Sequence, residues 1–130
     1  MNRDESCMAD EVYFFDSYAI FEVLSGNVHY HKYARSRVVT TKLNLFEVVS
    51  NLLKDARNDD ALLFLNDAQQ FVVDFDSDVI YRAALFWAEH RKQNLSMTDC
   101  IGYCLAMKLG VPFLTGDKEF EGFPHVEFVR

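Results

Sequence analysis

The chain has little of what would divide it or staple it. Two prolines and five glycines in 130 residues leave no Pro/Gly/Ser-rich linker. No internal repeat or low-complexity stretch appears either, so one domain is expected. The polar start, residues 1–8, shows no periodicity and reads as a flexible segment before a single domain spanning 9–130. The three cysteines, Cys7, Cys100 and Cys104, are an odd count without a paired motif. Cys100 and Cys104 stand four apart on an apolar helical face, where packing is far commoner than zinc binding. No apolar run approaches the roughly 18 residues of a membrane helix, and no secretory apolar region is evident. A reduced, cytoplasmic protein away from the membrane is the expectation. No two histidines have helical ligand spacing, and the Gly-x-Ser-x-Gly elbow, the Gly-x-Gly-x-x-Gly fingerprint and the Walker loop are all missing. Positive charge is scarce: 13 Lys and Arg against 20 Asp and Glu give a net charge of −7. That balance opposes a nucleic-acid partner unless a bound cation reverses the sign locally.

What the chain has in abundance is apolar and aromatic. Half of it is hydrophobic and 12 residues are Phe, enough for an aromatic-rich core or a sizeable contact surface. Val12-Tyr13-Phe14-Phe15 is too short for a helix and does not alternate, which is how a strand buried on both faces reads. It ends abruptly at Asp16. Ser17 to Ser25 suits a short helix stopped by Gly26, and Val38 to Thr41 a second strand. From Lys42 to Asn58 one helical stripe runs through Leu43, Leu45, Phe46, Val49, Leu52, Leu53 and Ala56, with Asn44, Glu47, Asn51 and Lys54 on another side. Asp59-Asp60 opens a short helix carrying Leu62, Leu63 and Leu65. Phe71 to Phe75 reads as a third strand. Ser77 caps a helix to about Asn94, with Val79, Ile80, Ala83, Phe86, Trp87 and His90 facing inward. Ser96-Met97-Thr98-Asp99 has the form of a capping box, and the helix it opens ends at Gly110. Val111 to Thr115 and Val126 to Val129 are the last strands. Strands alternating with helices predict a three-layer α/β/α fold around a mostly parallel sheet of four to five strands.

The placement of the acids follows from this order. Asp16 and Asp117 each follow a strand, Asp99 opens a helix, and Glu47 sits early in the helix after the second strand. All four therefore point to the carboxyl edge of the sheet, where open α/β sheets hold their ligands. Singly each has an ordinary explanation as a helix cap, turn residue or solvated face. Together, four carboxylates at one edge would repel one another, and such a set persists where a hard cation occupies it.

In these motifs the chain resembles the PIN-domain ribonucleases, including the VapC-type toxins of toxin–antitoxin pairs. The resemblance runs from Val12 to Val129. It rests on Phe15-Asp16-Ser17, Asn44-Leu45-Phe46-Glu47, Leu95-Ser96-Met97-Thr98-Asp99, and above all Leu114-Thr115-Gly116-Asp117-Lys118-Glu119-Phe120. Tyr18 departs from the pattern, standing where many members carry Ser or Asn. The resemblance implies an acidic quartet of Asp16, Glu47, Asp99 and Asp117, with supporting hydroxyls at Ser17 and Thr115. It implies one or two Mg²⁺ or Mn²⁺ ions and hydrolysis of RNA phosphodiesters to leave a 5′-phosphate. Asp16 and Asp117 would be direct ligands, Asp99 would complete the shell or serve a second ion, and Glu47 would hold a water or accept a proton. An antitoxin and a second copy of the chain are the implied protein partners.

The one basic cluster, His29 to Arg37, contains Lys32, Arg35 and Arg37 with Tyr30 and Tyr33 between them. It could bind RNA phosphates and stack bases, or simply form a solvated helix face. Two other functions fit less well. A non-catalytic module of the same fold agrees with the net charge but not with a complete quartet. A phosphotransfer receiver or phosphatase lacks the second acid it needs near Asp16, with Tyr18 in one such place and only Asp74 and Asp76 near the third strand.

Overall fold

The computed structural model describes residues 11–130; the expected flexible segment 1–8 and Cys7 lie outside them. Four strands form one wholly parallel sheet: β1 (Val12–Phe15), β2 (Arg37–Val39), β3 (Phe113–Thr115) and β4 (Val126–Phe128), in the order β2-β1-β3-β4. Helix α1 (Ser17–Leu24) joins β1 to β2. Helices α2 (Lys42–Lys54), α3 (Asn58–Ala68), α4 (Ser77–Glu89) and α5 (Met97–Leu109) lie between β2 and β3. The architecture is the expected three-layer α/β/α, with helices over both faces of the sheet.

Strand β1 is central and buried on both faces. Tyr13 and Phe15 join Ala19, Ile20, Val48, Leu52 and Leu114 on one side. Phe14 packs with Phe113, Val79, Ala83 and the inward residues of α5 on the other. The absence of alternation in this run reflects that double cover. Helix α5 approaches closely at Gly102, where a Cβ would stand 2.9 Å from the Phe14 ring. Among the described residues no helix is long and apolar enough to cross a membrane.

Several expected elements differ. Residues 71–75 form no strand: a 3₁₀ turn covers Gln69–Phe71, and the only pairing is an isolated bridge from Thr40 to Val72. The expected long α2 ends at Lys54, and Ala56 takes a positive φ of 57° before α3 begins. Its buried stripe is Leu45, Val48 and Leu52, while Phe46 and Leu53 are exposed and Asn44 is fully buried. Helix α3 turns Ala61 and Ala68 inward and leaves Leu62 and Leu63 in solvent. Asp76, not Ser77, caps α4 by accepting from Val79 N, and the helix stops at Glu89 with Ile80 and Trp87 exposed. Amphipathic counting finds a helix well, but with so many apolar residues it cannot tell which of two apolar stripes faces the sheet.

Candidate active site

The strand order places a topological switch at the carboxyl ends of β1 and β3. From β1 the chain moves to β2 on one side, then returns across the sheet to β3 on the other. The crevice outside such a switch is where open α/β sheets take ligands. Asp16 and Asp117 stand at the two lips. The cleft there, of about 540 Å³, is lined by all four acids together with Ser17, Tyr18, Ser96 and Asn51. Asp74 and Asp76 do not line it, which leaves the receiver reading without its acids.

Asp16 is held by the end of β1 itself. Its amide donates to Leu114 O at 3.1 Å, while Thr40 Oγ1 donates to Phe15 O at 3.0 Å. It occupies the N-cap position of α1 yet makes no capping bond with its side chain. Instead Oδ2 accepts from Thr115 Oγ1 at 2.8 Å, Oδ1 is buried without a hydrogen bond of ordinary geometry, and the Ser17 amide lies close enough to favour the charged form. Burial, reinforced by the neighbouring Asp99 charge, pushes the carboxyl up to about 8. A buried carboxylate oxygen so poorly bonded is costly and rare, and here it faces other acids.

Asp99 fulfils the expected capping box. Its amide donates to Ser96 Oγ at 3.1 Å, and its Oδ2 accepts from Ser96 N at 2.9 Å. Burial pushes it up to about 6, with the charges of Asp117 and Glu47 adding to the effect. Asp117 caps a 3₁₀ turn by accepting from Glu119 N at 3.0 Å, and its own amide donates to Thr115 Oγ1 at 3.1 Å. Thr115, fully buried, thus ties the two lips together through one hydroxyl. Glu47 reaches the cleft from α2, where its Oε1 accepts from Ser17 Oγ at 2.6 Å.

Behind Ser17 lies a residue whose part sequence reasoning missed. Asn44 Nδ2 donates to Ser17 Oγ at 3.0 Å, and its Oδ1 accepts from the buried Thr41 hydroxyl at 2.7 Å. This chain aims Ser17 at Glu47. The signal was present in the spacing: Thr41 is the N-cap of α2 and Asn44 the residue three on, one turn before Glu47.

The basic cluster is not a helix face. Residues 28–35 form two 3₁₀ turns, in which Tyr30 and Tyr33 are buried and donate to Val129 O and Glu127 Oε2. Neither ring is available to stack a base. Arg37 begins β2, at the amino end of the sheet away from the acids, while Lys32 and Arg35 line a separate concavity.

The donor set suits a hard cation: carboxylate oxygens, one of them orphaned, with Asp16 held protonated near neutral pH and Asp99 raised to about 6 by burial and mutual repulsion. Among the described residues no three His, Cys, Asp or Glu side chains are gathered into a ready coordination shell. The acids share a cleft rather than a closed cage, as befits an ion that keeps waters and shares its shell with phosphate.

A parallel sheet between two layers of helices, with an acid-lined cleft at its switch point, defines a three-layer α/β/α domain. The family is shown directly: the PIN domain model matches residues 13–126, and the chain belongs to that family. Similar solved structures include a toxin–antitoxin complex from Klebsiella pneumoniae, with 18% identity, a TM-score of 0.69, and cover of 88% of this chain and 94% of that one. Another is VapBC2 from Rickettsia felis bound to a DNA fragment from its promoter, with 11% identity, a TM-score of 0.67, and cover of 91% and 97%. At those identities the likeness is one of fold. A comparison with curated proteins finds no match.

Proposed function

We propose that the chain is a divalent-metal-dependent endoribonuclease and the toxin of a toxin–antitoxin pair. The observation that carries the reading is the orphaned Oδ1 of Asp16, buried among acids at the switch point. Membership of the PIN domain family, whose members generally use divalent ions, supports it. The structural neighbours being toxin–antitoxin complexes supports the partner.

Asp16, Asp99 and Asp117 would hold Mg²⁺ or Mn²⁺. A divalent ion so held supplies charge neutralisation at phosphate and a lowered pKa for water. The chain's own residues supply the rest. Thr115 keeps Asp16 and Asp117 in register across the cleft by bonding to both. Glu47, hydrogen-bonded to Ser17 with Asn44 and Thr41 behind it, would take a proton from the attacking water. The substrate phosphodiester would lie in the cleft, whose lining includes Tyr18 and Asn51. The reading places the protein in the cytoplasm, and the exposed Ile80, Tyr81, Leu85 and Trp87 of α4 offer an apolar face for a homodimer.

The test is cleavage of single-stranded and structured RNA by the purified chain. Activity should require Mg²⁺ or Mn²⁺ and stop with EDTA. Asp16→Asn and Asp117→Asn should each lower the rate roughly a thousandfold or more while leaving the circular dichroism spectrum unchanged. Full activity in either variant would remove the assigned roles. One observation favours a non-catalytic module instead, namely that no ready coordination shell is gathered among the described residues; a module would neither bind Mn²⁺ nor cut RNA.

A further inference from the structure

The chain of hydrogen bonds behind Glu47 has a direction, and one side chain sets it. Asn44 lies in the first turn of α2 and is fully buried. Its backbone N–H donates to Thr41 Oγ1 at 3.3 Å, which caps the helix and leaves the Thr41 proton free to point elsewhere. That proton goes to Asn44 Oδ1, at 2.7 Å. With its oxygen so used, Asn44 presents Nδ2 to Ser17 Oγ, at 3.0 Å. An amide nitrogen donates and does not accept, so Ser17 must receive it and keeps one proton of its own to give. Ser17 gives that proton to Glu47 Oε1, at 2.6 Å.

The opposite orientation of the amide fails at both ends. Turned over, Asn44 would present an oxygen to Ser17 and draw the Ser17 proton away from Glu47. Two oxygens without a proton between them would then meet at 2.6 Å, unless Glu47 itself were protonated. At the other end Nδ2 would face Thr41 Oγ1 and leave the Thr41 proton unplaced in a fully buried site, where water cannot compensate the loss. The relay also stops at Asn44. A hydroxyl passes a proton on by accepting one and donating another, but Nδ2 accepts none, so Ser17 orients Glu47 without carrying its proton into the interior. One oxygen of Glu47 is thus held from behind, and the other is left to the cleft that Glu47 lines with Asp16, Asp99 and Asp117.

We propose that Asn44 is a positioning residue of the nuclease reaction: its buried amide commits the Ser17 hydroxyl to Glu47 and so keeps Glu47 a proton acceptor aimed into the cleft. The inference rests on the nuclease reading. Asn44 does not itself line the cleft, so its influence on the reaction passes through Ser17. A purely structural tie between α1 and α2 would use the same bonds, but it would be indifferent to where the Ser17 proton points.

The test is a double-mutant cycle of Ser17→Ala and Asn44→Ala, read in cleavage of a single-stranded RNA with Mn²⁺. Each single variant should lower kcat roughly tenfold to a hundredfold, a part of what a general base supplies. KM and the calorimetric affinity for Mn²⁺ should stay within about twofold of wild type, since neither change removes an acidic ligand. The double variant should be no slower than the slower single, because the two residues act in series. Effects that multiply in the double variant, or a wild-type kcat in Asn44→Ala, would overturn the proposal. So would a fall in Mn²⁺ affinity that accounts for the fall in rate, which would make Asn44 a support of the metal site. Should circular dichroism show Asn44→Ala unfolded, the Asn44 side-chain amide decides by NMR. Its Nδ2 protons should exchange slowly with solvent and shift in Ser17→Ala; rapid exchange or an unmoved resonance would overturn the proposal. A wild type that cuts no RNA in Mn²⁺ would refute the nuclease reading and this role with it, whereas a cutting wild type with an indifferent Asn44 refutes this role alone.

Discussion

Phe14, on β1, and Asp16, just past its end, stand two residues apart, both buried, under opposite rules. Phe14 is fully enclosed and stacks on Phe113 with ring centroids 5.5 Å apart. Phe113 in turn meets Phe120 at 4.7 Å and Tyr103 at 5.6 Å, and the Tyr103 hydroxyl donates to Pro124 O. Every group in that layer is satisfied. Asp16 keeps one oxygen without a hydrogen bond of ordinary geometry and a carboxyl held far above its ordinary range. The comparison shows one layer that stabilises the fold and one edge that destabilises it, joined by a single strand so that the first can tolerate the second.

The aromatic layer gives the largest expected effect on stability. Phe113→Ala should cost about 3–5 kcal/mol, measured as a lower urea midpoint. A loss well under that would mean the layer is not what supports the edge.

The edge should respond with the opposite sign. Asp16 and Asp99 have folded-state pKa values of about 8 and about 6, both above the ordinary carboxylate value of 3.8. Between about pH 4 and pH 8 the folded protein binds protons that the unfolded chain has lost, so the metal-free protein grows less stable as pH rises through that window. Asp16→Asn removes the larger contribution. It should raise the melting temperature at pH 8 by several degrees and flatten the dependence on pH. A melting temperature that climbs with pH in EDTA would contradict the assigned shifts. The smallest effect is expected at Ser96→Ala, which removes the cap of α5 and one partner of Asp99 at a cost of about 1 kcal/mol in the melting transition.

How far all this was legible in the sequence depended on the kind of signal. The run Val12–Phe15 showed its double burial because alternation was missing, and that placed Asp16 at the sheet edge. Ser96 and Asp99 were readable because a capping box is local. Asn44 was not, since a polar residue on a helix looks solvated until a second element, here Ser17 on α1, closes over it. Tyr30 and Tyr33 looked like a nucleic-acid surface because charged residues flank them, whereas contacts to β4, about a hundred residues away in the chain, bury both. Residues 71–75 have the composition of a strand but find only a bridge at Thr40 to pair with. Local chemistry carried over; long-range partners did not.

The central claim is that the acids at this edge exist to hold a cation, and titration calorimetry with Mn²⁺ tests it most directly. Near pH 7, run in two buffers of different ionisation enthalpy, the wild type should bind Mn²⁺ and release protons, because Asp16 must give up the proton that burial makes it keep. Absence of binding at millimolar Mn²⁺, or binding without proton release, would contradict the account.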